Sequence, residues 1–123
     1  MKNSNLKVMS IVQLVERFTS LALAQFQAER EDEQTKYNES YDEMLAVEQE
    51  LKGRSKDQRA ALVPLFVHPN PQVRLVAAQA ALTVAPESAR LALVELSERN
   101  IYPQAADARG TLMALERGVR RPT

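Results

Sequence analysis

The sequence predicts an all-α fold, six helices arranged as three antiparallel hairpins, and three observations carry that prediction. The first is an internal repeat. The stretch ALVPLFVHPNPQVRLVAAQAAL from Ala61 to Leu82 begins again at Ala92 as ALVELSERNIYPQAADARGTLMAL. Ala61, Leu62, Val63 and Leu65 correspond to Ala92, Leu93, Val94 and Leu96 at an offset of 31. After a turn one residue longer, Pro71, Gln72, Val73, Val76 and Ala80 correspond to Pro103, Gln104, Ala105, Ala108 and Leu112 at an offset of 32. Units of about thirty residues cannot bury their apolar faces alone, so they stack. The second observation is composition. With 45% hydrophobic but only 5% aromatic residues, the apolar content is chiefly Ala, Leu and Val, which suits closely spaced helices better than sheets. The third is apolar spacing of i, i+3, i+4 between starts marked by serine or proline.

Residues 1–9 read as a loose start. Ser10 and Gln13 then have the spacing of a capping box and open helix one. Its stripe is Ile11, Leu14, Val15, Phe18, Leu21, Ala22 and Phe26, and Val12, Leu23 and Ala24 widen it beyond one face. Burial against two helices of the same chain is the expectation, with a homodimer contact through helix one as the alternative. Helix two runs Gln34 to Lys52, with Tyr37, Tyr41, Met44, Leu45, Glu48 and Leu51 on one face and Gly53 as its stop. Ser55 and Gln58 repeat the capping spacing and open helix three, which Pro64 should bend. Asn70 caps and Pro71 begins helix four, which extends to Val84. Pro86 and Pro103 begin helices five and six in the same way, the latter ending near Gly118. Short connections pair these as hairpins over 10–54, 55–84 and 85–118.

A chain of 123 residues is expected to form a single domain with its own core. It has no cysteine, which removes disulfides, thiol nucleophiles and thiolate metal sites, and with no secretory pattern at its start a cytoplasmic location is the expectation. Ile11 to Ala28 is interrupted by Gln13, Glu16, Arg17 and Gln25 and cannot cross a membrane. Net charge is zero, yet residues 1–50 sum to −5 and residues 51–123 to +5. Between Glu29 and Glu50 nine carboxylates face only Arg30 and Lys36. Such a strip is a solvated helix face or a docking surface for a basic partner.

The run HPNPQVRLVAAQAAL from His68 to Leu82 resembles the inner half of a HEAT-type repeat. That resemblance implies a structural pairing of Arg74 with Asp107 in the neighbouring unit. Asp107 aligns with Leu75 here, and the second copy has Ala106 in place of the arginine. The chain also resembles a family of small bacterial proteins known only as a domain of unknown function. LVERF at Leu14 to Phe18, KYNESYD at Lys36 to Asp42, DQRAALVPL at Asp57 to Leu65, HPNPQVRLVAA at His68 to Ala78 and PQAADA at Pro103 to Ala108 carry that likeness. It implies an all-helical fold and no particular reaction.

No motif for chemistry emerges. His68 is the lone histidine, so metal binding lacks partner ligands, and a turn-stabilising role is expected of it ahead of a general base. Gly53, Gly110 and Gly118 are too dispersed to cradle phosphates, and no serine sits in a nucleophile elbow. Asn38, one residue from the apolar stripe, is expected to be buried and hydrogen-bonded, or to face a ligand. Lys52, Arg54, Lys56 and Arg59, with Arg117, Arg120 and Arg121, could touch a few phosphates but lack interleaved aromatics. The expected function is therefore non-catalytic protein binding through a helical face, with no cofactor and no metal. Asn38, Arg59, His68, Asn70 and Arg74 are its candidate binding residues. The alternatives are a nucleic-acid-binding module and a small-molecule enzyme centred on His68.

Overall fold

A computed structural model of the chain describes residues 5–123. The six predicted helical segments are all helical, and no strand occurs among the described residues. A short 3-10 helix at Leu6–Val8 is added within the stretch expected to be loose, and it buries Leu6; the rest of that expectation, residues 1–4, lies outside the described residues. The chain divides into two compact units, one ending at Ala61 and the other running Leu62–Thr123.

The first unit is built on α1 (Ile11–Arg30) and α2 (Gln34–Gly53). The predicted capping box is present: Ser10 Oγ accepts from the Gln13 N–H at 3.1 Å and Gln13 Oε1 accepts from the Ser10 N–H at 2.8 Å. Three residues turn the chain, with Asp32 in the left-handed region at φ 56°. Arg17 on α1 reaches Glu43 on α2 at 2.6 Å, and Arg54 beyond α2 reaches Met9 before α1, so the two helices are antiparallel. Leu14, Phe18, Leu21, Ala22, Gln25 and Ala28 form the buried face of α1. Each buried Leu or Phe side chain stabilises the fold by about 1.5–3 kcal/mol.

Two expectations are corrected in this unit. Val12, Leu23 and Ala24 are exposed, so helix one does not bury its widened stripe within the chain. On α2 the buried residues are Ser40, Met44, Val47 and Leu51. Tyr41 and Leu45 are exposed: the helix is turned so that small Ser40 lies inside, and the larger pair faces out.

Helix three is a 3-10 helix, Gln58–Val67, with Pro64 inside it. It begins three residues later than the Ser55 start expected, because Lys56 and Asp57 adopt left-handed φ of 67° and 48°. No capping box forms at Ser55. Gln58 Nε2 donates to the Ser55 carbonyl instead.

The second unit contains α3 (Pro71–Ala80), α4 (Pro86–Ser97) and α5 (Gln104–Glu116). Asn70 caps α3 as predicted, its side chain accepting from the Gln72 and Val73 N–H groups. α3 ends at Ala80 instead of Val84, the chain continuing as turns. Pro103 is the cap residue of α5, one position before the helix, and Gly118 takes φ 73° beyond its end.

α3 packs against both α4 and α5. Ala77 and Ala78 on α3 and Ala105 and Ala108 on α5 have no exposed surface, and such small side chains let helix axes approach closely. Gln104 Nε2 donates to Gln72 Oε1 at 3.0 Å, and Gln79 Nε2 donates to Thr111 Oγ1 at 3.0 Å. Both bonds join residues 32 apart, so α3 and α5 run in the same direction.

Candidate functional site

His68, Asn70 and Arg74 come together on one turn of the second unit. His68 Nδ1 accepts from the Asn70 N–H at 3.0 Å, and the His68 carbonyl accepts from Arg74 Nε. The Asn70 side chain is occupied by the N–H groups of α3. Every polar contact here holds the turn and the start of α3. Asp107 lies exposed in the first turn of α5, where a carboxylate complements the helix dipole, and its carbonyl accepts from Thr111 Oγ1.

Arg59 belongs to the 3-10 helix and is buried, 6% exposed. Its Nε and Nη2 donate to the two oxygens of Asp57 at 2.9 and 2.7 Å, and its backbone N–H donates to Asp57 Oδ1. Hydrogen bonds from the Arg59 side chain hold the Asp57 carboxyl below the ordinary carboxylate range, against the opposing effect of burial. The same pairing raises the Arg59 guanidinium. A buried guanidinium clamped in this way anchors the turn containing two left-handed residues.

Arg54 was grouped with the basic cluster by sequence, but its side chain is a tether. Its Nη2 donates to the carbonyls of Leu6, Lys7 and Met9, and its Nε donates to Glu50 at 2.6 Å. The only hint in the sequence is its position just after a helix-ending glycine. Of the cluster at the start of helix three, Arg54 and Arg59 are thus engaged internally.

Asn38 is exposed, which corrects the buried expectation; its Oδ1 accepts from Gln34 Nε2 at 2.9 Å. Four residues per step along the same face bring Gln34, Asn38, Asp42 and, beside them, Tyr41 and Leu45 to the surface. Tyr41 is 49% and Leu45 39% exposed. The surroundings are acidic: Glu39 and Asp42 are exposed on α2, and Glu29, Glu31 and Asp32 are exposed at the turn. Beside that turn Ala28, Glu29, Asp32, Glu33, Gln34 and Tyr37 line a hollow of about 240 Å³. Glu33 accepts from Lys36 and raises its ammonium above the ordinary range.

A shallow groove of about 520 Å³ lies in the second unit, lined by Ala106, Gly110, Thr111 and Ala114 of α5 together with Gln79 and Arg120. Among the described residues no three His, Asp or Glu side chains are arranged to hold a metal ion. No helix among them is long and apolar enough to cross a membrane.

Two helical units with exposed faces, and polar clusters that hold turns, define an all-α protein of the small helical-domain class. The chain belongs to the family described as Domain of unknown function (DUF2019), which it matches over residues 12–116. It is similar to the crystal structure of the protein RPA1889 from Rhodopseudomonas palustris CGA009, at 37% sequence identity and a TM-score of 0.94, over 96% of this chain and 98% of that one. No curated protein matches it.

Proposed function

We propose that this protein is a non-catalytic protein-binding module whose docking face is the exposed side of α2. One observation carries the reading: Tyr41 and Leu45, one helical turn apart, stand in solvent on the most acidic helix of the chain. A tyrosine beside a leucine supplies apolar contact area at low entropic cost, and surrounding carboxylates select a basic partner. Asn38 adds an amide that can exchange its bond with Gln34 for one with a partner. The polar groups of Arg59, His68, Asn70 and Arg74 serve the scaffold in this reading.

The scaffold is proposed to be a HEAT-like α-α repeat of three hairpins. The two hydrogen bonds between residues 32 apart support it, because 32 is also the offset of the sequence repeat across these helices. Parallel stacking of equivalent helices is what a solenoid requires.

The test is capture from source-cell lysate on immobilised protein, beside a Tyr41→Ala, Leu45→Ser double variant. A specific partner should be retained at about 50 mM salt, weaken at about 300 mM as screening shortens the reach of the carboxylates, and be lost with the double variant. Capture indifferent to the substitutions, or no partner at all, would overturn the reading.

A further inference from the structure

The exposed face of α1 is a separate surface with its own pattern. Val12, Glu16, Thr19, Leu23, Phe26 and Arg30 follow one another at steps of four, three, four, three and four, the alternation that keeps residues on one seam of a paired helix. None of the six is buried, and Val12 is 66% and Leu23 40% exposed. Val12, Leu23 and Phe26 are its apolar positions, and Glu16 and Arg30 its charged ones. Glu16 and Arg30 lie at equal distances, seven residues, on either side of Leu23, about 10 Å each way along the axis. Among the described residues neither makes an ion pair, and Arg30 stacks over the Phe26 ring with its guanidinium carbon 5.6 Å from the centroid.

We propose that this seam joins two copies of the chain, antiparallel, with the two-fold axis at Leu23. The charges are self-complementary in that arrangement alone. Glu16 of each copy meets Arg30 of the other, twice, while Leu23 meets its own counterpart. A parallel pair would set Glu16 against Glu16 and Arg30 against Arg30. The Thr19 hydroxyl is already bonded to the Val15 carbonyl, so it brings no unpaired donor to the seam. Because a single helix seam is smaller than the interface of about 1,600 Å² common to stable complexes, the dimer is weak and concentration-dependent.

Sedimentation velocity of the full chain from about 10 µM to about 1 mM spans the range in which such an interface associates. The expected result is a monomer that becomes a dimer over this range. Glu16→Arg should raise the dissociation constant at least about tenfold by placing like charges together, and adding Arg30→Glu should restore it. Both side chains are exposed, so helix content by circular dichroism should be unchanged and shows that each variant is folded. The chain has no cysteine, so Leu23→Cys should oxidise to a covalent dimer, whereas Glu16→Cys should not. A chain monomeric throughout, association indifferent to Glu16→Arg, no recovery in the double variant, or a ready Glu16→Cys disulfide would each overturn the proposal.

Discussion

The two units reach stability by different routes. The first has two helices of 20 residues each, a core holding Phe18, Leu14, Met44 and Leu51, and charged tethers from Arg17, Arg54 and Arg59. The second has three helices of 10 to 13 residues, also buries large side chains such as Leu62, Leu93 and Leu96, and draws its helices together through alanines and through neutral amide and hydroxyl groups. Long helices that meet along one seam leave wide faces in solvent, and the acidic strip and the Tyr41–Leu45 pair occupy such a face. Short helices that meet on several sides leave less choice about which residues go inside. Both units should weaken when large side chains are removed, but unit one should be the more sensitive to loss of a charge and unit two to enlargement of a small side chain.

The largest effect should come from Phe18→Ala. Phe18 has no exposed surface, and the cavity left behind should cost about 4 kcal/mol, measured as a shift in the urea midpoint. A loss below about 1 kcal/mol would show that α2 collapses onto the gap and that this core is less rigid than argued.

Next is Asp57→Ala, which leaves the buried Arg59 guanidinium without its carboxylate and should cost about 3 kcal/mol near neutral pH. The sign with pH follows from the lowered pKa of Asp57, which the Arg59 hydrogen bonds cause. Its folded form releases the proton more readily than the unfolded chain, so its contribution is complete above about pH 4 and disappears as pH falls through the depressed native value. Wild type should lose stability in that acid window. The variant should show a smaller loss there, and parallel pH profiles for the two proteins would sink the assignment.

Ala77→Leu should cost about 2 kcal/mol by overfilling the close approach of α3 to its neighbours. Thermal unfolding measures it. A neutral outcome would mean that the second unit has slack around α3, and the contrast between the units would fail there.

Much of this was legible in the sequence. The box at Ser10 and Gln13, the Asn70 cap and the prolines at the starts of α3 and α4 act through neighbours within three residues, so local spacing reveals them. The rotation of α2 was not legible, because Tyr41 and Leu45 fall at helical intervals beside Met44 and Leu51 on one broad apolar stripe and only the available space decides which of them go inside. The roles of Arg54 and Arg59 were hidden for a related reason. A cationic side chain after a helix reads as solvated, and only folding brought carbonyls from residues 6 to 9 within reach of Arg54.

The sequence by itself determined the helical segments and their order, since backbone propensity, caps and apolar period are properties of short segments. Tertiary structure alone decided which apolar residues remained outside, which charges became internal tethers, and that glutamines 32 residues apart would meet. Those outcomes depend on which distant surfaces share the limited interior, and no local pattern carries that information.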